Sequence, residues 1–365
     1  MSRNIFIFNP ETDYALALGR THYNPPAKIV ALRKQLQLIQ VHIAKRGDII
    51  IVSDDFSPAA YPDKTHIELV EEKGIRLIKL GKLTESISTS RQNASEMSCS
   101  GESDFIIRPW GWNHSLRRQL LDTHIDERLL KTNEEIDTLR QLSHRRTTIP
   151  FQQHLQKLLP HMGIPVAKEL FTVEEAMDYA SSQGTVFFKA PWSSSGRGII
   201  RYDTFATDPN EPTHFIAQKP RKNMSGVLTE QKLREWLGGF IRKQGSVMGE
   251  HAFSRVADFA TEWMINGGEV DFLGLSLFNT SAEGRYLSNR NISQTDIDRT
   301  LKRLTPLWTY DVIEAQRQAL IDIIAPGYSG PAGIDMLIAT DGILNPCVEI
   351  NLRHTMGMIA LNKPL

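Results

Sequence analysis

The segment from Pro331 to Gly357 constrains the fold more than any other, because two apolar runs flank the turn signal Thr340-Asp341-Gly342. This combination predicts an antiparallel β-hairpin. In the second run, apolar and polar side chains alternate along the chain. A strand with this period of two carries a carboxylate, an amide and a guanidinium on one face, from Glu349, Asn351 and Arg353.

The length of the hairpin loop decides what lies beside Asp335, the one charged residue in the first run. A three-residue loop places Asp335 opposite Cys347 and diagonally across from Glu349, on the same face. Diagonal neighbours lie roughly 7–8 Å apart, so the two carboxylates could share hard cations. A two-residue loop would turn Asp335 to the opposite face. The alternative is a half-solvated hairpin with ordinary polar side chains.

Composition places the chain among globular proteins and excludes several partners. Its 365 residues suffice for two or three domains. Lysine plus arginine and aspartate plus glutamate both number 42, so no global charge attracts nucleic acid or a membrane. Cys99 and Cys347 have neither disulfide nor metal-ligand spacing. No leader pattern opens the chain and no apolar run approaches about 18 residues, so we predict a cytoplasmic protein.

The first third of the chain alternates strand and helix patterns, which predicts an open parallel α/β domain over residues 1–125. Strands are expected at 4–8, 48–53, 75–79 and 104–108, with helices at 27–45 and 66–73. Residues 82–103 are rich in Ser, Thr, Asn and Glu and are predicted to form a mobile loop.

Polar residues follow the first and last of these strands, where ligands of open α/β sheets bind. The candidates for a substrate wall are Asn9, Glu11, Asp13, Arg108, Trp110 and Asn113. In the alternative interpretation, Pro10 and Pro109 simply end strands and the tryptophans fill the core.

A second informative segment runs from Thr185 to Tyr202. A buried strand carries Lys189 into a loop of small residues, 193–198, and a second strand begins at Ile199. Backbone N–H groups of such a loop can approach phosphate oxygens while a lysine neutralises their charge. The loop lacks the GK[ST] of a P-loop, and an ordinary Gly-Ser hairpin is the alternative.

The rest of the chain supplies a helical connector, two further domains and another hairpin. We predict helices within 114–159, 173–181 and 230–239, and a polar helical stretch over 288–325. Strands at 258–265 and 269–279 are predicted to pair around Asn266-Gly267-Gly268. The predicted domains are 126–250 and 251–365.

Four features follow one another along the chain: the lysine, the small-residue loop, an acidic residue after a later strand, and the hairpin acids. In this order they resemble the ATP-grasp superfamily of ATP-dependent ligases. The resemblance covers about Arg145 to Gly357. It implies a two-subdomain ATP-grasp fold with antiparallel sheets behind the α/β domain. The cofactors it implies are ATP and one or two Mg²⁺ ions.

The resemblance also implies a role for each matching residue in nucleotide binding. Lys189 contacts the ATP phosphates, and either Arg145 or Arg146 supplies an early cation beside them. Glu250, His251 and Ala252 form the linker that binds adenine. The ribose is bound by Asp258. The loop that closes over the phosphates contains Ser193, Ser194, Ser195, Gly196 and Gly198.

The metal site implied by the resemblance uses Asp335, Glu349 and Asn351 as ligands. Arg353 would steady the substrate or developing negative charge. Gly333 stands where dipeptide ligases of the family often have an arginine, which disfavours a D-alanine–D-alanine ligase.

Three functions are compatible with this pattern. A ligase would use ATP to activate a small-molecule carboxylate as an acyl phosphate and join it to an amine-type nucleophile. A small-molecule kinase would leave phosphate on its product, and a non-catalytic protein would only bind ATP. The acid, the nucleophile and the oligomeric state stay open, with a homodimer as one option.

Overall fold

The computed structural model describes residues 2–88, 105–193, 198–203, 230–280 and 286–363. Contacts divide the chain into two compact units. Unit 1 contains the residues up to Arg140 and those from Arg353 onward, and unit 2 contains Gln141–Leu352. Among the described residues, no helix combines the length and the apolar character needed to span a bilayer.

Strands and helices are numbered along the chain. The strands are β1 Arg3–Ile7, β2 Ile49–Val52, β3 Arg76–Lys79, β4 Phe105–Pro109, β5 Lys168–Leu170, β6 Thr185–Lys189, β7 Ile199–Asp203, β8 Val247–His251, β9 Arg255–Asn266, β10 Glu269–Thr280, β11 Tyr286–Asn289, β12 Gly330–Ala339 and β13 Leu344–Asn351. The helices are α1 Thr12–Leu18, α2 Ala27–Leu36, α3 Lys64–Lys73, α4 83–88, α5 His114–Leu121, α6 Asn133–Leu142, α7 Thr148–Leu158, α8 Val173–Gln183, α9 Glu230–Gln244, α10 Gln294–Leu304, α11 Tyr310–Ala319 and α12 Met356–Leu361.

Unit 1 is built on a parallel sheet in the order β3-β2-β1-β4. The central strands are buried on both faces, as expected when helices cover a parallel sheet. Ile5 and Ile49 pack into the core on one side, and Phe6 and Ile50 pack into the core on the other. The predicted open parallel α/β fold is therefore confirmed.

Two predictions in unit 1 need correction. The helix expected over 27–45 ends at Leu36, and Ile39–His42 form a 3₁₀ turn. Leu38, Ile39 and Val41 are all buried there, so the segment has no polar side to leave in solvent as an amphipathic helix would. The loop expected over 82–103 begins with α4, and its part from 89 onward lies outside the described residues.

The C-terminal segment completes the core of unit 1. Ile359 of α12 packs with Phe8 and Trp110. His354 is fully buried, and its Nδ1 lies 3.0 Å from the Pro109 carbonyl oxygen. Burial lowers the pKa of His354 to about 4, since the charged imidazolium would lose its hydration there.

This buried histidine makes the stability of the protein sensitive to acid. Between pH 6.5 and about 4 the unfolded chain binds a proton at His354 that the folded chain does not, so acidification favours unfolding. We expect this group to remove up to about 3 kcal/mol from the free energy of unfolding across that window. Urea denaturation at several pH values measures the loss. His354→Asn, which keeps a donor for Pro109, should reduce the slope to the part contributed by His42 and His66, whose pKa values burial also lowers. An unchanged slope would refute the assignment.

Unit 2 contains two antiparallel sheets, in the orders β5-β8-β6-β7 and β11-β10-β9-β12-β13. Helices α8 and α9 cover one face of the first sheet, where Val186, Phe188 and Leu237 form its core. The β9–β10 hairpin turns at Gly267 and Gly268, which both have positive φ. The predicted antiparallel sheets are confirmed. The stretch 288–325 is not wholly helical, because it begins at the end of edge strand β11.

Candidate functional site

Of the two loop lengths that the sequence left open, the β12–β13 hairpin has the three-residue one, but its register beyond the loop differs from the expected register. Ala339 N–H donates to the Ile343 oxygen, which closes a three-residue loop, Thr340–Gly342. Asp335 then pairs directly with Glu349 rather than with Cys347. The expectation that the two acids share a face is confirmed, whereas the pairing with Cys347 is wrong.

A bulge at Pro346 causes this change of register. Residues 346–348 lie opposite Met336 alone. Proline has no N–H to give to the ladder, and the Cys347 N–H donates to the Asn345 side chain at 3.1 Å instead. The bulge shifts the following residues of β13 by two positions, which moves Glu349 to the place opposite Asp335.

Two buried glutamines hold the carbonyl groups that the bulge frees from the ladder. Gln316 Nε2 donates to the Pro346 oxygen at 2.6 Å, and Gln152 Nε2 donates to the Cys347 oxygen at 2.7 Å. The Thr261 hydroxyl donates to Gln316 Oε1 at 2.8 Å. The Ala167 N–H donates to Gln152 Oε1 at 2.8 Å. Both amide oxygens and both bulge carbonyls therefore have hydrogen-bond partners, as buried groups require. The relative position of the two acids thus depends on residues from α7 and α11.

We expect Gln316→Met to cost about 1–3 kcal/mol of unfolding free energy, since it leaves the Pro346 carbonyl and the Thr261 hydroxyl without their partner. Urea denaturation measures this loss. Gln318→Met is the matched control, because Gln318 lies exposed on the same helix. Equal stability of the two variants would show that the glutamine does not support the bulge.

Asp335, Glu349 and Asn351 form the candidate metal site. Asn351 Nδ2 lies 3.3 Å from Asp335 Oδ2, and Glu349 faces the same carboxylate across the ladder. Among the described residues, no three His, Cys, Asp or Glu side chains come together as a metal-binding group. Two acids and one amide nevertheless fit Mg²⁺, which usually takes its other oxygens from water and phosphates.

Arg145 connects the hairpin to the small-residue loop. Its guanidinium is 5 % exposed and lies 2.8 Å from Glu349 Oε1. The same group donates to the Ala190 oxygen at 2.6 Å and to Ser193 Oγ at 2.7 Å. The guanidinium of Arg146 instead donates to the Gln141 side chain near the surface. Of the two arginines left open by the sequence, Arg145 is therefore the one at this site.

Lys189 and Glu250 form a second ion pair in unit 2. Lys189 ends β6 and Glu250 lies on the neighbouring β8, with Nζ and Oε2 2.5 Å apart. Both side chains are largely buried. A buried lysine needs such a partner, because an unpaired ammonium would lose its hydration at high cost.

The charged groups of Lys189, Glu250, Glu349 and Asp335 affect the pKa of the buried Cys347 thiol. Burial raises the pKa of Cys347 well above its usual value. The negative charges of Glu250, Asp335 and Glu349 raise it further, while the positive charge of Lys189 opposes them. Lys189, Glu250 and the two hairpin acids therefore all lie close enough to the Cys347 thiol to affect its pKa.

A cavity of about 390 Å³ lies between the two antiparallel sheets of unit 2. Phe187 and Phe253 give it apolar walls, and Asp258 gives it a carboxylate. Asp258 accepts hydrogen bonds from Thr280 Oγ1 at 2.5 Å and from Arg255 at 3.2 Å. The rest of the lining is largely polar and includes Arg201, Arg255 and Arg290. Two aromatic rings and one acid in such a cavity could serve a nucleoside, whose base stacks and whose ribose hydroxyls donate hydrogen bonds.

The linker expected to bind adenine joins the sheets beside this cavity. Glu250 and His251 are the last residues of β8, and the Ala252 N–H donates to the Thr185 oxygen at 3.2 Å. The His251 ring contacts that of Phe253, with centroids 4.6 Å apart. Glu250 binds Lys189, which the sequence did not indicate. Of the loop residues, Ser193 and Gly198 are described, whereas Ser194, Ser195 and Gly196 lie outside the described residues.

Arg353 is assigned to unit 1, although it follows the metal motif closely in sequence. Its Nε lies 3.0 Å from Asp13 Oδ1. In the same unit, Asn9 and Asn113 line a cavity, while Trp110 is buried against Phe8. The asparagines thus reach a cavity, and a substrate wall there stays a prediction, whereas Trp110 fills the core as the alternative interpretation expected.

Several contributors to the site were not identified from the sequence. Phe187 lies two residues before Lys189, so its position on the same strand face could have been inferred from the period of two. The position of Arg201, which pairs across from Phe187 on β7, could not have been inferred in this way. Gln152 and Gln316 gave no signal, because their bulge contacts join residues 195 and 30 positions apart.

No protein-family model matches the chain, and no curated protein matches it. Similar solved structures include a biotin carboxylase–β,γ-ATP complex from Campylobacter jejuni, with 15 % identity over 100 % of this chain and 72 % of that one, and a TM-score of 0.48. An L-amino acid ligase from Bacillus licheniformis has 12 % identity over 98 % and 69 %, with a TM-score of 0.41. An N5-carboxyaminoimidazole synthetase from Staphylococcus aureus has 10 % identity over 98 % and 72 %, with a TM-score of 0.45.

Proposed function

We propose that this chain is an ATP- and Mg²⁺-dependent ligase of the ATP-grasp type that joins a small-molecule carboxylate to an amine-type nucleophile. The observation that carries the proposal is the direct pairing of Asp335 with Glu349, with Arg145 bridging Glu349 to Ser193. This arrangement brings together, within one unit, two acids that would bind a metal, a cation that would bind phosphate and the start of a loop of small residues.

The proposed reaction has two steps. A carboxylate oxygen of the acid attacks the γ-phosphorus of ATP, and the bond to the β,γ-bridging oxygen breaks to release ADP. The amine nitrogen then attacks the acyl carbon, loses a proton, and expels inorganic phosphate with formation of an amide-type bond. Such phosphoryl transfer depends on positioning and on neutralising charge more than on covalent catalysis.

The residues of unit 2 would divide that task. Asp335, Glu349 and Asn351 would hold Mg²⁺, which supplies positive charge beside the β- and γ-phosphates when bound. Lys189 and Arg145 would bind the phosphate oxygens. Both cations are paired with carboxylates in this structure. The phosphates would therefore replace these carboxylates at the cations or share the cations with them.

The cavity between the sheets would hold the nucleoside. Asp258 would accept hydrogen bonds from the ribose, and Phe187 and Phe253 would pack against the base; all three line this cavity. The backbone from Glu250 to Ala252 would contact the base edge. Arg353 would act on the carboxylate substrate or on the charge that develops during transfer.

A phosphate-release screen with ATP, Mg²⁺ and pooled carboxylates and amines tests the proposal. We expect release of ADP and phosphate only when an acid and an amine are both present. Glu349→Ala should abolish it, while Glu269→Ala, at an exposed acid on β10, should not. Phosphate retained on a product would indicate a kinase instead. ATP binding without any turnover would indicate a binding protein.

A further inference from the structure

Unit 1 contains a cavity of about 250 Å³ at the carboxyl ends of its central strands. Residues after β1 and β2 line it, together with Asn113, which follows β4. The strand order changes direction between β1 and β4, and open α/β sheets bind ligands at such a switch point. The cavity is smaller than the roughly 300–1,000 Å³ of sites for drug-sized ligands, so it has room only for a small molecule.

An ion pair in the cavity wall, between the buried Glu11 and the half-buried Arg33, includes two polar atoms without hydrogen-bond partners in the part of the chain that the structure describes. Glu11 is 7 % exposed, and its Oε1 accepts a hydrogen bond from Arg33 Nη2. Among the described residues, Glu11 Oε2 and Arg33 Nε have no hydrogen-bond partner although both atoms are buried. Burial raises the pKa of Glu11, and the Arg33 charge opposes that effect. A buried acceptor and a buried donor without partners are costly unless a ligand completes them.

The charges around the cavity balance. Glu11 and Asp54 contribute two carboxylates, and Arg33 and Lys34 contribute two cations. A ligand with one charge would be attracted by one pair and repelled by the other, whereas a zwitterion can satisfy both. The remaining wall is largely aliphatic, with Ile7, Ile51, Val52, Leu80 and Leu116 among its residues.

We propose that this cavity binds an α-amino acid with an aliphatic side chain, with its ammonium at Glu11 and its carboxylate at Arg33. The inference rests on the proposed function only in taking this amino acid to be one of the two ligase substrates. Asn9 and Asn113 supply further polar atoms to the wall, and Asn9 also ties the loops after β1 and β4 together through Gly111.

Isothermal titration of the whole protein without ATP tests the charge requirement. The ligands are L-leucine, 4-methylpentanoate, which has only the carboxylate, and isopentylamine, which has only the ammonium. We expect L-leucine to bind roughly ten-fold or more tightly than either analogue, because each analogue leaves one charged partner without its hydrogen bond. Equal affinities, or no binding of any of the three, would overturn the proposal.

Variants of Glu11 and Arg33 then test whether these two residues bind the amino acid. Glu11→Gln should weaken L-leucine binding roughly ten-fold or more, and Arg33→Gln, at a more exposed residue, provides a second test if the first variant is unstable. Glu127→Gln is the matched control, since it disrupts another arginine–glutamate pair of unit 1. Thermal unfolding confirms that each variant is folded. Unchanged binding in folded Glu11→Gln and Arg33→Gln would contradict the assignment.

The two proposals fail in different ways. If L-leucine does not bind but the phosphate-release screen finds another acid and amine, the amino-acid site is wrong and the ligase stands. If L-leucine binds at Glu11 and no combination of substrates releases phosphate, the amino-acid site stands and the ligase proposal is wrong.

Discussion

Replacing Glu349 with glutamine should reduce Mg²⁺-dependent phosphate release by a factor on the order of 10²–10³, the range seen when one preorganised electrostatic contact is lost. Glutamine keeps an oxygen that can accept the hydrogen bond from Arg145. It removes the negative charge that faces Asp335 and would bind the metal. The loss should appear in the initial rate at every Mg²⁺ concentration, and higher Mg²⁺ should restore part of it.

Two controls separate this effect from damage to the fold. Glu269→Gln removes an exposed acid of the same sheet and should leave the rate unchanged. Asp335→Asn should reproduce the defect, because it removes the other acid of the pair. If Glu349→Gln released phosphate at the wild-type rate while Asp335→Asn did not, Glu349 would serve only to hold Arg145.

Replacing Lys189 with methionine should weaken ATP binding roughly 10- to 150-fold, which corresponds to one charge-assisted hydrogen bond. It should also lower thermal stability, since Glu250 is left largely buried without its cation. Titration with ATP measures the first effect, and a thermal unfolding curve measures the second. Lys302→Met removes an exposed lysine of unit 2 and should change neither.

The double variant Lys189→Met/Glu250→Gln distinguishes a phosphate contact from a structural one. Neutralising Glu250 removes the unpaired charge, so stability should recover towards the wild-type value. ATP affinity should stay low, because no ammonium is available for the phosphates. Recovery of ATP affinity together with stability would show that the pair only supports the strands β6 and β8.

The sequence predicts the elements of the site better than their pairing. Alternation along β13 places Glu349 and Asn351 on one face, and the turn signal gives the position of the loop but left its length open between two and three residues. The partner of Asp335 changes because Pro346 interrupts the ladder, and a proline in a strand is itself a signal of a bulge. The size of the bulge could not be predicted, because the glutamines that bind its carbonyl groups lie on helices remote in sequence.

The ion pairs are the part that the sequence could not supply. Arg145 and Glu349 are 204 residues apart in the chain, and no local pattern connects them. Lys189 was predicted as a phosphate contact and Glu250 as part of a linker, but their mutual pairing follows only from the neighbouring positions of β6 and β8. Local patterns therefore indicate which residues are polar on a strand face, whereas the tertiary fold decides their partners.

The return of the chain to unit 1 after Leu352 affects how the protein is made. Ile359 and His354 belong to the core around Trp110, so unit 1 lacks part of its interior until the residues after Leu352 have been synthesised. Unit 2 has all its residues earlier and can fold first, although domains usually fold from the N-terminus. Nascent chains halted at Leu352 should therefore be digested by protease in the segment before Arg140 and resist digestion in the segment after it.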